Sequence, residues 1–194
     1  MNVNLTEIIF LIDRSGSMGG FEKDTIGGFN AFIEKQRQLS GKTIVTTALF
    51  DDKYELLWNG IAAEKVKLTS KEYFAGGCTA LLDAIGKTIL DVGYRLSAMR
   101  EEQRPAKVIF VITTDGMENA STEFTYGKVK ELINHQQEKY HWEFIFLGAN
   151  IDAEKEAGSI GISQDNAFNY EASKDGVEEM YCRACEVVSE RRER

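Results

Sequence analysis

Asp13, Ser15 and Ser17 stand at alternate positions of the segment Asp13-Arg14-Ser15-Gly16-Ser17-Met18-Gly19-Gly20. In extended backbone alternate side chains point the same way, and Gly16 gives the chain freedom to curl, so three oxygen-bearing groups can face one point. Two more oxygen donors stand beside glycines far along the sequence: Thr79 in Gly76-Gly77-Cys78-Thr79, and Asp115 in Thr113-Thr114-Asp115-Gly116. Every donor in this set is an oxygen. Such a set suits a hard cation, Mg2+ first, with Mn2+ or Ca2+ as alternatives, whereas zinc usually finds His or Cys. Mg2+ prefers about six ligands near octahedral geometry and usually keeps water, so a few protein oxygens leave a position open to an oxygen from outside.

Five scattered residues act together only if the fold gathers them. The apolar run 8–12 (IIFLI) stops at Asp13, and 108–112 (VIFVI) stops shortly before Asp115. Both have the unbroken apolar character of strands buried on two faces. A third run, 142–147, ends at Gly148, and 44–50 and 54–58 flank Asp51-Asp52-Lys53 as the arms of a hairpin. Between the strands, Leu82, Ile85, Ile89, Val92, Leu96 and Met99 recur at spacings of three and four, which puts them on one face of a helix. Weaker helical stripes run through Ile26, Phe29 and Ile33, through Val129, Leu132 and Ile133, and from Val177 to Val188. The order β-α-β-β-α-β-α-β-α-β-α predicts an α/β, doubly wound, Rossmann-like domain spanning 1–194. Its sheet is six-stranded and mostly parallel, with one antiparallel edge strand from the hairpin and helices on both faces. In such a sheet ligands sit outside the carboxyl ends of the strands, where strand order reverses. Pro105, the only proline, is expected at the end of the long helix just before the fourth strand, and 191–194 as a frayed helix end.

Composition narrows the partners. With 194 residues, 43% hydrophobic and 28% charged, the chain has the make-up of an ordinary globular domain. A net charge of -8 excludes nonspecific attraction to nucleic acid or anionic lipid. No apolar stretch approaches the ~18–20 residues of a membrane span, and no basic region precedes an apolar run at the N-terminus. Three cysteines, an odd number, fit reduced thiols in the cytoplasm, with Cys182 and Cys185 read as two residues of one helix rather than a zinc or redox pair. His135 and His141 lie too far in sequence from the strand ends to serve as ligands. The chain has no P-loop, no G-x-G-x-x-G at a helix start and no G-x-S-x-G around a serine.

Asp13-x-Ser15-x-Ser17, then Thr79, then Asp115, each at a strand or helix end, resemble the metal-ion-dependent adhesion site (MIDAS) of the von Willebrand factor A family. The likeness covers nearly the whole layout and departs from the pattern at none of the five positions. It implies that Ser15 and Ser17 bind the ion directly, and that Thr79, Asp13 and Asp115 do so directly or through water. It also implies that a protein partner's Asp or Glu completes the shell, with no catalysis. Physical reasoning agrees: neutral hydroxyls leave the cation's charge uncancelled and attractive to an incoming carboxylate. Intracellular relatives suggest an AAA+ ATPase or a stress-system component as partner, as in the tellurite-resistance group. Met18, Phe21, Met117, Glu118, Asn119 and Asn150 are expected to rim the site and touch the partner, or alternatively to fold back onto the domain. Plainer roles compete: turn formation for Asp13, Ser15, Ser17 and Asp115, and helix capping for Thr79 and Asp152. The alternative function is a metal-dependent phosphohydrolase with Asp13 as nucleophile, although Ser15 stands where a D-x-D motif would place its second acid.

Overall fold

In a computed structural model that describes residues 1–193, the elements run β1 (Asn2–Asp13), α1 (Glu22–Arg37), β2 (Lys42–Phe50), β3 (Tyr54–Ala62), α2 (Leu81–Ala98), β4 (Pro105–Thr114), α3 (Tyr126–Tyr140), β5 (Glu143–Ala149), α4 (Ala153–Ser159), β6 (Ala167–Tyr170) and α5 (Lys174–Glu193). The strands form one sheet in the order β3-β2-β1-β4-β5-β6. Every neighbouring pair is parallel except β2 and β3, joined by the short hairpin turn.

Alternation inside the apolar runs explains the two-sided core. Ile8, Phe10 and Ile12 point to a layer closed by Phe29, Phe32 and Ile33 of α1 and by Val177, Met180 and Tyr181 of α5. Ile9 and Leu11 point the other way, to a layer closed by α2, α3 and α4 through Leu82, Ile85, Ile89, Val129, Ile133 and Ala157. The ring of Phe10 meets Phe29 and Phe32 edge-on, at centroid distances of 5.5 and 5.1 Å. Such T-shaped contacts suit the aromatic quadrupole.

This winding positions the site. From β1 the chain crosses outward through α1 to β2, and after the hairpin it returns through α2 to β4 on the other side of β1. Strand order therefore reverses between β1 and β4, which opens a crevice at their carboxyl ends.

Three boundaries differ from the sequence reading. β1 begins at Asn2, well before its apolar run, because Leu5 onward pairs with β2 and Asn2 pairs with Pro105. α2 stops at Ala98, and Pro105 is the first residue of β4, where a missing amide donor disturbs no ladder. The end of α5 is held, not frayed. Arg191 donates to Glu143 and Asn166, and Arg192 donates to the carbonyls of Gln36 at 2.8 Å and Ser40 at 3.2 Å. Arg194 lies outside the described residues. No helix among the described residues is long and apolar enough to cross a membrane.

Candidate metal centre

Asp13 ends β1, Thr114 ends β4, and the bond between their side chains closes the crevice: Thr114 Oγ1 donates to Asp13 Oδ2 at 2.7 Å. Asp13 Oδ1 accepts from the amide of Ser15 at 2.7 Å, which bends the chain so that Ser15 and Ser17 turn back over the strand ends. There Ser15 Oγ and Ser17 Oγ lie 3.1 Å apart, and Ser17 Oγ donates to Asp115 Oδ1 at 2.6 Å. Gly116 separates Ser17 from Thr79. A Cβ on that glycine would sit 3.6 Å from Thr79 Oγ1 and 3.8 Å from Ser17 Oγ, so its missing side chain leaves the space between the two hydroxyls open. All five predicted donors thus meet at one end of the sheet. Ser17 is exposed, whereas Asp13, Ser15, Thr79 and Asp115 are buried.

The loops are fastened by contacts the sequence does not announce. Gly76 N–H donates to the Arg14 carbonyl at 2.8 Å, and Gly16 N–H donates to the Gly77 carbonyl at 3.0 Å, which ties the serine loop to the segment carrying Thr79. Gly77 has a φ of +80°, which strains any other residue, and a Cβ there would lie 2.2 Å from Asp52 Oδ1 and push that carboxylate aside. Three backbone carbonyls at the strand ends are held by side chains. Tyr73 OH donates to Asp13 O at 2.7 Å, Tyr170 OH to Thr114 O at 3.1 Å and Asn150 Nδ2 to Asp115 O at 3.2 Å. Asn150 does so from a left-handed backbone, φ 55°, which asparagine tolerates better than most residues.

The electrostatics are lopsided. Burial pushes the Asp13 carboxyl up to about 6, against the pull of its hydrogen bonds from Ser15 and Thr114, and burial likewise raises Asp115. Neither carboxylate forms an ion pair with Lys or Arg among the described residues. The nearest candidate in sequence, Arg14, is turned aside to Asp51 at 3.0 Å and Glu55 at 2.7 Å. Asp115 Oδ2 is buried with no hydrogen-bond partner among the described residues. An orphaned carboxylate oxygen normally costs free energy, unless a cation belongs beside it.

The donor set also fits the size of a hard ion. With Mg2+–oxygen bonds of ~2.1 Å, adjacent ligands on an octahedron lie about 3 Å apart, comparable to the separation of the two serine hydroxyls. Thr79 is not spent on capping α2, whose preceding residue Ala80 makes no side-chain cap. Among the described residues no group of three or more His, Cys, Asp or Glu converges, which leaves mixed hydroxyl and carboxylate chemistry as the offer.

The expected rim is only partly a rim. Met117 is exposed, and Asn119 and Asn150 are exposed too. Met18, by contrast, is buried at 4% exposure, and Phe21 packs against the α1–α5 core layer, because the turn following Ser17 folds these apolar side chains inward. Glu118 is bound within its own loop region. It accepts from the amides of Leu82 at 2.9 Å, Ala120 at 2.9 Å and Ser121 at 2.7 Å, and so caps α2 from the neighbouring loop. Asn119 clasps Thr79, accepting from its amide at 2.9 Å and donating its own amide to its carbonyl at 3.0 Å. Asp152 caps α4 through the amide of Lys155. His141 terminates α3 just before β5 begins, at the opposite end of the sheet from the site. Cys182 and Cys185 lie together on α5, the first exposed and the second buried. Sequence reading missed Arg14, Tyr73, Phe74 and Tyr170, since none carries a motif and each matters through a contact with a distant segment.

No family model matches the chain, and no curated protein sequence does. Among solved structures it is similar to proximal thread matrix protein 1 from the mussel byssus with a zinc-occupied MIDAS motif, at 16% identity and TM-score 0.62, over 93% of this chain and 46% of that one. It is similar to the PilB minor pilin of Streptococcus sanguinis, at 9% identity and TM-score 0.65, over 97% and 61%. It is also similar to the ArnB paralog VWA2 of Sulfolobus acidocaldarius, at 17% identity and TM-score 0.56, over 92% and 44%. The chain spans less than two thirds of the length of each of these structures. At such identities the likeness shows the fold alone.

Proposed function

We propose that this chain, which has a von Willebrand factor A fold, is a non-catalytic protein-binding module that docks a partner's Asp or Glu through a divalent cation held by Asp13, Ser15, Ser17, Thr79 and Asp115. The observation that carries this reading is the buried Asp115 Oδ2, without a hydrogen-bond partner among the described residues, on the carboxylate whose other oxygen binds Ser17, in a crevice whose two carboxylates lack any basic partner among the described residues. A bound ion would supply positive charge that its neutral hydroxyl ligands leave uncancelled. The protein's part is to hold the donors ready. Thr114 and Ser15 fix the Asp13 carboxylate, Ser17 sets one oxygen of Asp115, and Asn119 fixes the backbone of Thr79.

The zinc-occupied motif of the mussel protein supports a divalent ion at a site of this kind. The all-oxygen donor set of this chain favours Mg2+ or Mn2+ over zinc. Three free cysteines support a cytoplasmic setting. An AAA+ ATPase or stress-system component as partner is carried by the family resemblance alone.

The phosphohydrolase alternative is weaker on the geometry. A nucleophilic carboxylate must present an oxygen to substrate. Asp13 is 1% exposed, and both its oxygens accept hydrogen bonds from within the crevice.

Selection of a random peptide display library against the chain in Mg2+, with elution by chelator, tests the proposal. Enrichment of Asp or Glu that disappears with a Ser17→Ala bait is expected. Peptides retained equally in chelator, or equally by Ser17→Ala, would overturn it.

A further inference from the structure

Two large apolar side chains on the loops that carry the metal donors are open to solvent. Phe74 is 57% exposed on the loop before α2, and Met117 is 69% exposed directly after Gly116. A single exposed apolar side chain is ordinary on a protein surface; what sets Phe74 apart is that its ring is fixed beside the serine loop. The Arg14 guanidinium lies 5.2 Å from its ring centroid, and that guanidinium is buried and ion-paired to both Asp51 and Glu55. Two residues on, Gly76 bonds to the Arg14 carbonyl, and the next residue, Gly77, bonds to the amide of Gly16. The ring therefore shares a fixed frame with the serine loop.

From this arrangement, and resting on the carboxylate-docking reading above, we infer that Phe74 is a specificity-determining platform for a partner peptide whose metal-binding Asp or Glu is flanked by an aliphatic or aromatic side chain. The carboxylate reaches the ion, and the neighbouring apolar group packs on the outer part of the Phe74 ring. Met117, an exposed and flexible thioether two residues after Asp115, adapts to the rest of the segment. Charge favours an apolar neighbour over an acidic one. Arg14 already supplies a cation to the Phe74 ring, which disfavours a second. Two carboxylates outweigh the charge of Arg14, so it does not recruit another anion. The exposed ring loses little conformational freedom on binding because Arg14 has already placed it, which is how rigid aromatic anchors gain affinity.

The same peptide selection tests this with a second readout, the residues flanking the selected acid. The native bait is expected to enrich Leu, Ile, Val, Phe, Tyr or Trp within two positions of the Asp or Glu. A Phe74→Ala bait should keep the Mg2+-dependent acid and lose that bias, with selected peptides bound roughly tenfold more weakly. Phe74→Tyr should restore both. Calorimetric titration with Mn2+ alone should give Phe74→Ala the native affinity within about twofold, since the ring makes no bond to the donors. An acid selected in Mg2+ without a flanking bias, or a bias that survives Phe74→Ala, overturns the inference and leaves carboxylate docking standing. If the native bait selects no acid in Mg2+, docking itself fails and the inference falls with it.

Discussion

The two oxygens of Asp115 are in different circumstances. Oδ1 accepts a 2.6 Å bond from Ser17, and Oδ2 is buried with no partner among the described residues. Ser17 is thus both a donor to the carboxylate and a candidate ligand, and Ser15 reaches the same point through Ser17. Because neither hydroxyl packs in the apolar core, replacing both should separate binding from folding. The Ser15→Ala, Ser17→Ala double variant should lose tenfold or more in Mn2+ affinity by calorimetry, with a melting temperature within about 4 °C of native in chelator. A variant that is unfolded, or that binds Mn2+ as the native chain does, would contradict this. These donors were legible in the sequence because alternation, flanking glycines and strand ends are local properties. Tyr170 was not, because its role depends on a hydroxyl crossing to the carbonyl of Thr114, 56 residues away in sequence.

α2 shows how an element can be legible while its anchoring is hidden. Its apolar stripe at Leu82, Ile85, Ile89 and Val92 is a local pattern that predicts the buried face. Its N-terminus has no side-chain cap from its own sequence. Instead Glu118 accepts the Leu82 amide, and Asp83 accepts the amides of Thr122, Glu123 and Phe124 in return. The two carboxylates stitch helix and loop together, and that loop also carries Asn119, which holds Thr79. Glu118→Ala should therefore lower unfolding stability by about 1–3 kcal/mol in a denaturant titration, because several amides lose a charged acceptor. It should also weaken Mn2+ binding through Thr79. Unchanged stability would show that water replaces the carboxylate at no cost. The sixth strand was expected from the element order, and β6 is its four residues; the early start of β1 was not legible, because its first residues become strand only by pairing with their neighbours.

Across the whole molecule, the winding order was legible because each buried parallel strand is an apolar run and each crossover carries a helical stripe. What was not legible is the polar fastening away from the site. Glu7 is fully buried on β1, where it accepts from Thr46 Oγ1 at 2.6 Å and pairs with Arg95 of α2, which also reaches Asn59 of β3. This cluster joins three strands and a helix at the end of the sheet remote from the metal centre. Arg95→Ala leaves a buried carboxylate without its cation, and should cost about 3–5 kcal/mol in chemical denaturation. Mn2+ stoichiometry should be unchanged at temperatures where the variant remains folded. A cost below about 1 kcal/mol would mean that water reaches Glu7.

The most direct test is a crystal structure grown with Mn2+ and recorded for its anomalous signal. The account predicts one peak in the crevice between β1 and β4, bounded by Ser15 Oγ, Ser17 Oγ and the Asp115 carboxylate, with at least one coordination position held by water or an outside oxygen. Saturating Mn2+ that leaves the crevice without a peak, or with an ion coordinated by none of these side chains, would contradict it.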